Sequence, residues 1–150
     1  MKKLFLFLAA TLIAAAFMLS TSCNNANAPT TPAGIEKAMY EELLKGNYEQ
    51  AMTVYFNNVE NMVFEPLDSN ITLEDSRKEY ITEFAKKTKE SYDAKGGLKS
   101  YEIVKEEIFE DGNTAIVETK LVYGNGTEET DTTKYVKKDD GTWNISGDLK

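Results

Sequence analysis

The hydrophobic period of this chain changes once, at Gly96-Gly97, and no other feature constrains its fold as strongly. Before that point apolar side chains recur at helical spacing; after it they alternate. Ile35, Met39 and Leu43 repeat at i, i+4 and i+8 with Ala38 beside them, which predicts a helix over Ile35 to Lys45. Gly46 suits the residue just past a helix end, where a left-handed backbone is cheap only for glycine. Asn47 is placed to cap a second helix, about Tyr48 to Asn58, with Tyr48, Ala51, Met52, Tyr55, Phe56 and Val59 on one side. Val63 to Asn70, with Pro66, Asp68, Ser69 and Asn70, reads as a loop. Thr72 caps a third, longer helix whose first turn carries Glu74 and Asp75 against the positive end of the dipole. Leu73, Tyr80, Ile81, Phe84, Ala85, Thr88 and Tyr92 follow at helical spacing.

Past the glycines, Leu98 to Glu110 is rich in Tyr, Ile, Val and Phe, and Asp111-Gly112 is a hairpin signal. Ala115, Val117, Thr119, Leu121 and Tyr123 then alternate with Thr114, Ile116, Glu118, Lys120 and Val122. Gly124-Asn125-Gly126 marks a second turn, Thr127 to Lys138 a polar strand with Tyr135 and Val136, and Asp139-Asp140-Gly141 a third turn. Thr142 to Ile145 closes the series with Trp143 and Ile145 on one face. Three N-terminal helices packed on a four-stranded antiparallel meander define an α+β class, and residues 35–150 suffice for one domain.

The N-terminus follows a different logic. Lys2 and Lys3 precede an almost unbroken apolar run, Leu4 to Leu19, then Ser20-Thr21-Ser22 and Cys23. That order reads as a secretory signal. The run of 16 residues is shorter than the ~20 needed to span a bilayer. The segment resembles the signal of a bacterial lipoprotein, in which a peptidase cuts before a lipidated cysteine. Ser20 stands where such signals usually place Leu, and Leu19 lies one position earlier, a relaxed form common in Bacteroidetes-type bacteria. The resemblance implies that residues 1–22 leave, that Cys23 carries acyl chains such as palmitate, and that the membrane is a partner through them. The formal charge would then fall from −8 to −10, because Lys2 and Lys3 depart. Asn24 to Ala33 is polar, holds two prolines and lacks a large apolar residue, so residues 23–34 read as the anchor and a flexible tether. Asn24, Asn25 and Asn27 are not acidic, unlike the residues that follow the cysteine in surface-exported relatives of this type, which points to an outer-membrane anchor facing the periplasm.

Composition excludes several chemistries. The chain has no histidine, which removes Ser-His-Asp and Cys-His catalysis. With one cysteine it can form no internal disulfide, and the usual ligands of zinc and redox metals are missing, so neither metal nor cofactor is expected. The acidic balance argues against nucleic acid, whose affinity is built from Lys and Arg on phosphates. Asp68, Asp111, Asp139 and Asp140 fall in turns and serve turn chemistry. Glu106, Glu107, Glu110 and Asp111, and again Glu128, Glu129 and Asp131, read as solvated hairpin edges. Lys86, Lys87 and Lys89, with Glu83 and Glu90 nearby, read as the exposed side of the third helix.

Two segments carry a family resemblance: YEELLKGNYEQAMTVYF, Tyr40 to Phe56, and KKDDGTWNIS, Lys137 to Ser146. They resemble small bacterial lipoprotein domains of unknown function with the cone-like, nuclear-transport-factor-2-like (cystatin-like) fold. The resemblance implies a curved sheet wrapped around a helix with a pocket between them. Tyr55, Phe84, Tyr101, Tyr123, Tyr135 and Trp143 are the candidate pocket residues; the same aromatics also suit ordinary core and rim packing. No residue is nominated as catalytic. The expected role is a non-catalytic envelope module binding a small amphipathic ligand, a glycan or a protein partner. Alternatives are a homodimeric structural subunit of an envelope complex and a carboxylate/Tyr enzyme, the last requiring a buried carboxylate of raised pKa near Tyr donors.

Overall fold

The computed structural model describes residues 30–60 and 72–147. The signal segment, Cys23, most of the tether and the Val63 to Asn70 loop lie outside the described residues. The first helix, α1 (Pro32–Leu44), begins earlier than Ile35 and takes in part of the stretch read as tether. Proline explains the difference: its fixed φ suits a first helical turn, where its missing N–H would have been unbonded anyway. Thr31 caps the helix, its Oγ1 accepting from the Gly34 amide at 3.0 Å. The Ala33 amide donates to Glu106 Oε1 at 3.0 Å, so a strand carboxylate meets another of the orphan donors at the helix start.

Gly46 follows α1 with φ near +79°, as its position predicts. Asn47 does precede α2 (Tyr48–Asn57) but does not cap it through its side chain, which donates to Glu42 Oε2 at 2.8 Å instead. Thr72 caps α3 (Leu73–Asp93), its Oγ1 accepting from the Asp75 amide at 3.1 Å and donating to the Asp75 carboxylate at 2.7 Å.

The strands β1 (Leu98–Ile108), β2 (Thr114–Tyr123), β3 (Glu128–Lys137) and β4 (Trp143–Ile145) form one antiparallel sheet in chain order, the meander expected from the sequence. The alternation in β2 is strict: Ala115, Val117, Thr119, Leu121 and Tyr123 are all buried. Two irregularities in β1, at Leu98/Ser100 and Ile103/Lys105, interrupt its register with β2, the kind of device that bends an edge strand. A parallel bridge between Val59 and Ile145 ties the end of α2 to the last strand.

The buried face of the sheet meets the helices in two apolar clusters. Met39, Tyr40, Leu43, Ala51, Met52, Phe56 and Ala85 gather with Leu121 and Tyr123. Ile35, Ala115, Val117, Tyr135, Trp143 and Ile145 form the other. Val54 and Tyr55 of α2 pack against both. At the far end, the turn after α3 closes on the β2–β3 turn: the Gly124 amide donates to Gly97 O at 2.8 Å and the Asn125 amide to Lys95 O at 2.9 Å.

Candidate functional site

Strand parity decides which polar side chains reach the helices. Glu106 pairs with Val117, Asp131 with Thr119 and Glu129 with Leu121, so these three carboxylates share the buried face of β2. They are therefore not merely solvated hairpin edges. Glu106 takes the Ala33 amide, Glu129 takes Lys95 Nζ at 2.7 Å and the Tyr123 hydroxyl at 3.1 Å, and Asp131 takes the Tyr40 hydroxyl at 2.9 Å. Each remains at the open rim of that face, where it keeps contact with water.

An open cavity of about 400 Å³ lies between this face and the helices. From α1 come Glu36, Met39, Tyr40 and Leu43, and from α2 Met52 and Tyr55. From α3 come Lys87, Thr88, Ser91 and Tyr92. Asp131 and Thr133 of β3 and Ile145 of β4 complete the walls. Its size lies within the range of small-molecule sites, and Met39, Leu43, Met52 and Ile145 give it apolar wall beside the polar groups.

Glu36 is the unusual member. It is only 1% exposed, and Tyr135 donates to its Oε1 at 2.8 Å. Oε2 is buried and has no hydrogen-bond partner. Burial pushes the carboxyl pKa up, and the negative charge of Asp131 adds to the rise. The Thr133 and Tyr135 hydroxyls oppose it, Thr133 by proximity rather than by a bond of proper geometry to Oε2. Burial also drives up the pKa values of Tyr40, Tyr55, Tyr92 and Tyr135, with Asp131 contributing in each case, so these phenols are neutral donors. The structure thus contains the buried, raised carboxylate beside tyrosines that a carboxylate-based chemistry requires.

Of the six candidate pocket residues, Tyr55 lines this cavity and the other five do not. Phe84 is 41% exposed on α3, where it meets Phe56 edge-on. Tyr101 stacks on Tyr40 from β1, ring centroids 5.3 Å apart. Tyr123 is buried under Tyr92 and Lys95 at the far end of the sheet. Trp143 packs in the second cluster under Lys137, and Tyr135 touches the site only through its bond to Glu36. Core packing takes up several of the large rings of this small domain, and the cavity keeps Tyr40, Tyr55 and Tyr92. Sequence reasoning missed Glu36, although a signal existed. Glu36 interrupts the apolar stripe of α1, with Pro32, Met39, Tyr40 and Leu43 at helical spacing around it, so helix geometry alone buries it.

No family model matches the chain, and no curated protein does. Solved structures similar to it include a provisionally assigned NTF2-like transpeptidase from Campylobacter jejuni, 17% identical, covering 77% of this chain and 97% of that one at a TM-score of 0.49. Another is an iota-carbonic anhydrase from a cyanobacterium, complexed with bicarbonate, also 17% identical, covering 83% and 93% at a TM-score of 0.37. At such scores neither likeness transfers a residue or a reaction.

Proposed function

We propose that the domain is a non-catalytic binding module for a small amphipathic molecule, held at the cell envelope through lipidated Cys23. The observation that carries the binding half is Glu36, a buried carboxyl bordering the cavity whose Oε2 has no hydrogen-bond partner. Buried polar groups are almost always satisfied, and this orphan sits on a residue that borders the cavity, within reach of a ligand there after a small side-chain adjustment. The anchoring half rests on residues 1–23.

A carboxylate/Tyr enzyme is the second reading, and the burial of Glu36 is what favours it. Against it, the Tyr40 and Tyr135 hydroxyls already donate to Asp131 and Glu36 and would have to leave those bonds to serve a substrate. Native mass spectrometry of the full chain released from detergent micelles tests the binding reading. A retained small molecule is expected, and it should be lost in Ser91→Trp, which fills the cavity from an exposed rim position. A wild-type chain that is always empty, and is not stabilised by extracts of envelope lipids and glycans, sinks it.

A further inference from the structure

The charge of the cavity is one-sided. Glu36 reaches it from α1 and Asp131 from β3, and the charge of Asp131 is felt at Glu36, Tyr40, Tyr55 and Tyr92. Among the described lining residues the one cation is Lys87, whose Nζ lies 2.7 Å from Glu83 with its side chain 64% exposed. It is turned to solvent and offset there. An anionic ligand would therefore meet two carboxyl groups without a compensating charge. A neutral ligand would leave the Asp131 charge without a counter-charge in the cavity. A cation would serve both groups at once, giving Glu36 Oε2 a donor and Asp131 a counter-charge. Met39, Leu43 and Met52 give such a ligand an apolar wall for its body, and the acidic chain as a whole draws cations towards it.

We propose that the ligand of this cavity is an organic cation, an ammonium group on an apolar body, with its charge seated between Glu36 and Asp131. The proposal rests on the binding reading above and names the chemical class of the ligand. A seated cation favours the ionised form of Glu36, so binding weakens as pH falls. The titratable and charged groups around Glu36 are Tyr40 on its own helix, Tyr55 on α2, Lys87 and Tyr92 on α3, Asp131 and Tyr135 on β3, and Glu106 on β1 at the start of α1. The raised pKa values of these tyrosines keep them neutral, while Glu36, raised by its burial, is the group whose charge the ligand changes.

The test is calorimetric titration of the full chain in detergent with three probes of one shape: 2-phenylethylammonium, 2-phenylethanol and 3-phenylpropionate. The cation should bind about tenfold more tightly than the alcohol, the propionate should not bind, and affinity for the cation should fall as pH is lowered. Glu36→Gln and Asp131→Asn should each weaken the cation about fivefold or more and leave the alcohol unchanged. Asp131 is exposed, so its variant folds even if the buried substitution does not. If alcohol and cation bind equally, or if the alcohol binds more tightly at lower pH, Glu36 acts as a neutral donor; the cation proposal then falls while the binding reading stands. If a folded wild-type chain binds none of the three, both fall.

Discussion

Two phenol–carboxylate bonds lie close together in this domain and differ in their surroundings. Tyr135 donates to Glu36, which is buried, whereas Tyr40 donates to Asp131, which is exposed. Tyr135→Phe leaves a buried carboxyl with neither oxygen bonded and should cost about 1–3 kcal/mol. Tyr40→Phe frees a carboxylate that water can solvate and should cost less than about 1 kcal/mol. Urea unfolding of the two variants checks the order. Glu36 also sets a sign for pH. Its folded pKa is raised, chiefly by burial, so its contribution is fully present below its ordinary value of 4.5 and is lost as pH rises through the raised one. Asp111 and Asp140, held low by turn hydrogen bonds, act in the opposite direction: their contribution is lost as pH falls. The difference between wild type and Glu36→Gln isolates the first effect. Wild-type stability relative to the variant should decline from pH 4.5 upwards, measured by thermal melts across the range, and a flat difference would contradict the burial of this group.

At the scale of elements, the joint between the turn after α3 and the β2–β3 turn leaves no room for a side chain at Gly124. A Cβ on Gly124 would stand 2.1 Å from Gly96 O, a backbone atom that cannot swing aside. Gly124→Ala should therefore destabilise by about 1–3 kcal/mol, read from the urea midpoint, whereas a residue change at a freely exposed turn would not. These elements were legible in the sequence to different degrees. β2 announced itself because one face is buried and the other is not, the one situation in which a strand writes period two into its residues. β3 did not: Thr130 to Lys134 are polar on both faces, so sequence alone could not say that Asp131 and Thr133 look towards α1 and Thr132 away. The start of α1 was placed late because Pro32 reads as a breaker, although at a first turn it is a starter. Glu36 was invisible to a search for apolar periodicity, which counts a carboxylate as a gap even when helix geometry buries it.

For the whole molecule, the two core clusters raise the question of whether the domain unfolds as one unit. Val54 and Tyr55 belong to the surroundings of both, and the Val59–Ile145 bridge joins α2 to the last strand. One cooperative transition is expected. Trp143, the only tryptophan, reports from the second cluster, while far-ultraviolet circular dichroism reports mainly from the helices. The two unfolding curves should coincide, and separate midpoints would mean that the clusters melt independently. The joint at Gly96 and Gly124 bears on the same question from the opposite end of the sheet. Turn amides that face water normally lose their protons to solvent within moments of dilution into heavy water. Those of Gly124 and Asn125 are bonded to the carbonyls of Gly97 and Lys95, across two segments distant in sequence. They can exchange only when these two turns part, which makes an exposed turn one of the slow clocks of this protein.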